Sequence, residues 1–140
     1  MTPRAATLVL AATVALALGV SAAVHLALAV PFSVNRGALI DQGMLFRIQA
    51  ALDALAAVAV AVLPGRTTAV AAGALAFGGA VILAVTAVMP LDGTALGLPY
   101  LYEPIWYPAK VTALVTQLVA ALAAAAMLRP WGPSPVARRA

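Results

Sequence analysis

The sequence predicts an all-α fold: an integral membrane four-helix bundle running up-down-up-down. Three observations carry that reading: a composition short of charge, four long apolar runs, and prolines that end each run. Of 140 residues, 65% are hydrophobic and only 9% charged. A soluble domain has about a quarter of its residues charged. This chain cannot cover a water-facing surface, and lipid is the solvent its excess apolar area needs.

The first run extends from about Ala5 to Val30 and stops at Pro31. The second, about Gly43 to Leu63, stops at Pro64-Gly65; the third, about Thr67 to Met89, stops at Pro90. The fourth starts at about Ile105 or Pro108, ends at Leu128 and stops at Pro130. Each is near or above the ~20 residues that cross ~30 Å of hydrocarbon. Proline cannot continue a helix, so each boundary has a cause. The short alternating segments of a β-barrel are not visible. The whole chain reads as one membrane domain, residues 1–140, whose last stretch, 129–140, is a short basic cytoplasmic tail.

The first run also has the layout of a signal peptide, with Arg4, an apolar stretch and the small residues Ser21-Ala22-Ala23. The apolar character continues unbroken through His25 to Val30, so an uncleaved helix is expected. Basic residues set the orientation. With the amino terminus inside, the cytoplasmic segments hold Arg4, Arg66, Arg129, Arg138 and Arg139 and no acid. The outer side holds Arg36, Arg47 and Lys110, with Asp41, Asp92 and Glu103. The expectation is a multi-pass protein of the plasma membrane with both termini cytoplasmic. Two long outer connections follow, Pro31 to Gln42 and Pro90 to about Pro104. Tyr100, Tyr102, Trp106 and Tyr107 cluster at the second, where amphipathic rings favour the headgroup layer. Helix three carries Ala72, Ala76 and Ala80 at four-residue spacing, which lets two backbones approach closely.

Composition also excludes chemistry. The chain has no cysteine, which removes disulfides, thiolate metal sites and thiol redox chemistry. The net charge of +4 lies scattered over helix ends and forms no basic face, so no nucleic-acid partner is expected. One histidine is too few for the usual bis-histidine haem, and a zinc site needs three or four suitable ligands. No phosphate loop, dinucleotide fingerprint or nucleophile elbow is present. No cofactor and no metal are expected.

Asp53 is the most informative residue. It lies about ten residues into helix two, roughly 15 Å from the outer end at 1.5 Å per residue. A carboxylate near the midplane costs ~2.5–3.5 kcal/mol on insertion scales and should face the bundle interior. Gln49 lies one turn above it on the same face. On helix four, Glu103, Tyr107, Lys110, Leu114 and Gln117 follow a four-three-four-three spacing, a slowly drifting stripe interrupted by Leu114. Helix one adds His25, and helix two adds Arg47, which can snorkel outward. These define a polar funnel in the outer half: Asp53, Gln49, His25, Lys110, Gln117 and Arg47, with Glu103 and Trp106 counted among its members. Asp53 is expected to point inward and find a partner on helix four or one. Lys110 is the favoured cation, Gln117 and His25 are neutral alternatives, and Arg47 is the weaker candidate. Whether the funnel is a functional cavity or a purely structural lock on helix register stays open at this point.

The run Gly97-Leu98-Pro99, then Glu103-Pro104 and Trp106, then an apolar helix with Gln117, resembles a group of small, uncharacterised four-helix membrane proteins of high-GC Gram-positive bacteria. Ala23-Val24-His25-Leu26 and Met44-Leu45-Phe46 look similar as well. The resemblance implies the fold and no particular activity. Such proteins usually carry a basic residue near the end of helix three and a glutamate in helix four, where this chain has Met89 and Gln117. Two function classes follow. The first is an accessory or structural membrane protein that binds lipid or a membrane partner. The second is a small-molecule or ion carrier acting as a homo-oligomer, because four helices enclose little space. An enzyme ranks third, since spacing assembles no nucleophile, base and orienting group.

Overall fold

The computed structural model describes residues 2–129. The basic tail expected over 129–140 lies outside the described residues apart from Arg129. Four helices dominate: α1 (Pro3–Ala29), α2 (Gln42–Val62), α3 (Arg66–Val88) and α4 (Pro108–Met127). All four are long and apolar enough to cross a bilayer, and the chain is a small multi-pass membrane protein. The α1–α2 connection holds a 3-10 turn at Pro31–Val34. The α3–α4 connection folds as a two-stranded hairpin, β1 (Leu91–Asp92) antiparallel to β2 (Tyr100–Leu101).

The helix ends have local causes. Thr2 Oγ1 accepts the Ala5 amide at 3.2 Å ahead of Pro3, and proline suits a first helical turn. Asp41 caps α2 by accepting the Met44 amide at 2.7 Å, with its negative charge at the positive end of the helix dipole. At the other ends, α1, α2 and α3 each stop two residues before a proline, Pro31, Pro64 and Pro90. Helix four starts at Pro108, the later of the two expected positions. Proline pushes the residue before it toward extended backbone, and both Glu103 and Tyr107 precede one. Glu103 and Tyr107 therefore are not helical, and the expected stripe on helix four begins at Lys110.

The helices pack as a ring: α1 on α2, α1 on α4, α3 on α4, and α2 on α3, while the diagonal pairs barely meet. The α2–α3 contact is much the weakest of the four, although only Leu63-Pro64-Gly65 join them. The half of the bundle near that turn is filled by small and branched side chains, among them Val14, Leu18, Val60, Ala72, Ala76 and Ala120. The four-residue alanine stripe of α3 faces inward, as Ala72, Ala76 and Ala80 are all buried. The opposite half is capped by the two long connections, which bond to each other. Leu39 N–H donates to the Gly97 carbonyl at 2.8 Å, and Asn35 Nδ2 donates to the Tyr100 carbonyl at 2.9 Å. Gly97 has φ +74°, and a side chain there would also meet Leu39, so the loop crossing needs glycine.

Ala76→Leu inserts bulk into a site with no exposed surface and should destabilise the protein by about 1–3 kcal/mol. Ala74→Leu, on the exposed face of the same helix, should be tolerated. Thermal unfolding of both variants in detergent measures the contrast.

Candidate functional site

Two helix faces meet in a buried polar cluster. Ser21 and His25 on α1 are four residues apart, as are Gln49 and Asp53 on α2, so each pair shares a face. Asp53 has no exposed surface. Its Oδ2 accepts the Ser21 hydroxyl at 2.7 Å and its Oδ1 accepts Gln49 Nε2 at 2.9 Å. His25 Nδ1 lies 2.8 Å from the Ser21 backbone carbonyl and 3.9 Å from Asp53 Oδ2. A carbonyl oxygen only accepts, so Nδ1 carries the proton. In the neutral ring Nε2 is then a lone-pair acceptor, and it has no protein partner among the described residues. The ring is held edge-on against Phe46, with centroids 5.7 Å apart.

A cavity of about 500 Å³ occupies the half of the bundle beneath the two connections. His25, Gln49, Lys110 and Gln117 line it, together with Glu103 and Tyr107 from the extended segment before α4. Most of the remaining wall is apolar, from Phe46, Ile82, Leu83 and neighbouring residues. Gln117 has no exposed surface, and both its amide nitrogen and amide oxygen lack a hydrogen-bond partner. A buried polar group left unpaired costs ~1–3 kcal/mol. The carboxamide lies against Gly79, where even a methyl group would collide with it. Glycine at that position makes room for the glutamine.

Lys110 is 3% exposed. Its Nζ donates to the Glu103 backbone carbonyl and sits 4.9 Å from the Trp106 ring centroid. Burial, and then the negative charge of Glu103, raise the Tyr107 phenol above its ordinary pKa, so it stays a neutral O–H. On the hairpin, the Thr94 hydroxyl and backbone N–H both donate to Asp92 Oδ1. They hold that carboxyl below its usual range, a local turn contact at the part of the cavity wall formed by the hairpin.

Several sequence expectations need correction. Asp53 points inward and finds a partner on helix one, but that partner is Ser21, and the favoured cation is absent. Lys110 lies two residues into α4 and Asp53 eleven into α2, a difference of nine residues or about 13 Å along the helices. The α2–α4 pair is also a diagonal. Asp53 does not line the cavity; it sits behind Gln49 and His25 and positions them. Arg47 is exposed and stays outside the cavity. Trp106 is half-exposed and reaches the site only through its contact with Lys110. Ser21 was missed because its small neighbours read as a cleavage signal. Its spacing of four from His25, matched by Gln49 and Asp53 on the next helix, was the usable sign.

The residue types Ser21, His25 and Asp53 invite comparison with a nucleophilic triad, but the geometry is wrong for one. A triad gives the two imidazole nitrogens different partners: Nε2 takes the serine proton, and Nδ1–H donates to the carboxylate that orients the ring. Here Nδ1 alone faces both residues, and Ser21 donates directly to Asp53. Ser21 is also fully buried and does not line the cavity. Among the described residues no group of three or more His, Cys, Asp or Glu is placed to hold a metal ion.

Asp53→Leu should destabilise the protein by ~2–5 kcal/mol, because it leaves the Ser21 hydroxyl and the Gln49 amide unpaired. Asp53→Asn keeps an acceptor for Ser21, and Gln49 can turn its amide to match, so its cost should be under ~1.5 kcal/mol. Unfolding midpoints in detergent check the order. Comparison of the chain with family models, with curated protein sequences and with solved structures gives no match, so the chemistry of the site rests on the residues just described.

Proposed function

We propose that this membrane protein is an accessory binding protein whose cavity takes a lipid-like amphiphile. The observation that carries the reading is the unpaired Gln117 carboxamide in the wall of a largely apolar cavity of about 500 Å³. Cavities of ~300–1,000 Å³ lined by apolar groups with a few placed polar atoms are the usual form of small-molecule sites. A ligand that pairs with Gln117 removes the cost of its burial on binding, which an empty structural lock does not explain.

The carrier reading has less support. A carrier needs a route past the site, and the half of the bundle beyond Gln117 is filled by Val14, Leu18, Ala76 and Ala120. Passage there requires the helices to separate at their tightest packing. Asp53, the residue a carrier would use for ion coupling, is walled off behind Gln49 and His25.

The charge distribution supports an orientation with both termini cytoplasmic and the cavity in the outer half of the membrane. Reporter fusions at Arg66 and at the carboxyl terminus should read cytoplasmic, and a fusion near Asp92 should read external. An external reading at the carboxyl terminus would reverse the orientation. For the binding reading, gentle detergent extraction followed by native mass spectrometry should find lipid bound at near-unit ratio. Recovery of the bare chain alone under those conditions counts against it.

A further inference from the structure

The cavity has a way in, and it faces lipid. Ile48 on α2 and Ile82 on α3 are 46% and 53% exposed on the outer surface of the bundle, and both also line the cavity. They flank the weakest of the four neighbouring helix contacts, that of α2 with α3. Above, the two connections bond to each other and close the roof. A ligand approaching from the bilayer therefore meets a gap between two helices edged by the apolar side chains of Ile48 and Ile82.

The polar atoms inside define the head group. Gln117 offers an unpaired amide nitrogen, with two N–H donors, and an unpaired amide oxygen, and His25 offers a second acceptor atom, Nε2. His25, Gln49 and Gln117 present no net charge to the cavity when the imidazole is neutral. Three charged residues lie on the wall, all at the end under the connections: Lys110 and Glu103 stand together at the α4 start, where Lys110 bonds the Glu103 carbonyl, and the exposed Asp92 on the hairpin keeps its carboxyl on Thr94. An ionised head group buried beside Gln117, seven residues below Lys110 on α4 and beneath the hairpin that carries Asp92, would lose its water and find no opposite charge next to it. A hydroxyl is different, because it donates and accepts at once. It matches both halves of the carboxamide, and a second hydroxyl suits His25 Nε2.

We propose that the cavity binds a neutral lipid alcohol of the acylglycerol type, entering sideways between α2 and α3, with its hydroxyl head on the Gln117 carboxamide and its chain leading back through the gap. This rests on the binding reading of the cavity given above and adds the class of ligand and the route.

Three probes with one chain length separate the head-group terms: monoolein (neutral diol), oleate (anion) and 1-octadecene (no head group). Each is added to the purified full-length protein in phosphatidylcholine nanodiscs and the unfolding midpoint is recorded. Monoolein should raise the midpoint more than either of the others. Gln117→Leu should unfold at a higher temperature than the parent without ligand, since it replaces an unpaired buried amide by an apolar group of similar size. It should also lose the preference for monoolein over octadecene. Ile82→Trp, which fills the gap from an exposed position, should lose the response to both. A larger shift with oleate than with monoolein overturns the head-group assignment. A Gln117→Leu protein that keeps its monoolein preference overturns it as well. An Ile82→Trp protein that responds like the parent overturns the route alone. No shift with any probe overturns the binding reading itself, and the assignment with it.

Discussion

The carboxyl of Asp53 sets the arrangement of the site half of this bundle. A polar group in hydrocarbon must find its partners inside the protein. Asp53 finds them in the Ser21 hydroxyl of α1 and the Gln49 amide of its own helix. The first contact fixes how α1 and α2 face each other. The second fixes where the Gln49 side chain ends. Through Ser21, whose backbone carbonyl accepts from His25 Nδ1, the same cluster also settles which imidazole nitrogen is left over for the cavity. One buried carboxyl thus orients two wall residues that it does not itself accompany to the surface of the cavity.

The other half of the bundle depends on the opposite device, the absence of side-chain bulk. Helices cannot be driven together in lipid by the hydrophobic effect, so close packing of small residues does the work. Ala72, Ala76 and Ala80 let α3 lie close to α4, and Ala120 and Ala124 answer from α4. At Gly79 the same approach is spent on Gln117, whose carboxamide takes the space a side chain would fill. The contrast between a filled half and a hollow half is what gives the molecule a pocket that ends at its packed half. The hollow half is closed by two irregular connections. Irregular backbone is acceptable there because its hydrogen bonds are met between the loops themselves.

Much of this was legible in the sequence, for reasons that can be named. The helices were readable because apolar runs of membrane length end at proline, and proline acts locally. The inward direction of Asp53 was readable because the cost of the alternative is large at that depth. The alanine stripe of α3 was readable from its spacing. What could not be read was which helices are neighbours. Lys110 was favoured for Asp53 on charge alone, yet the ring order puts α2 and α4 on a diagonal and the axial offset keeps them apart. Ser21 was hidden for a related reason: a hydroxyl in a run of small residues has no character of its own until a partner faces it. The hairpin between α3 and α4 was also not foreseen, since each of its strands is two residues long and carries no periodicity. Arg47 shows the limit of reading polarity as a direction, because its long stem lets it leave the interior from the first turns of α2.

The Ser21–Asp53 contact ties α1 to α2 at the site, and a double-mutant cycle tests it most directly. Ser21→Ala, Asp53→Leu and the double variant are compared with the parent by equilibrium unfolding in detergent. Hydrogen bonds across membrane helices average ~0.6 kcal/mol in such cycles, and a carboxyl acceptor with no exposed surface should exceed that. The predicted coupling is about 1–2 kcal/mol. Strict additivity of the two single substitutions would mean that Ser21 and Asp53 do not act on each other, and would contradict the account.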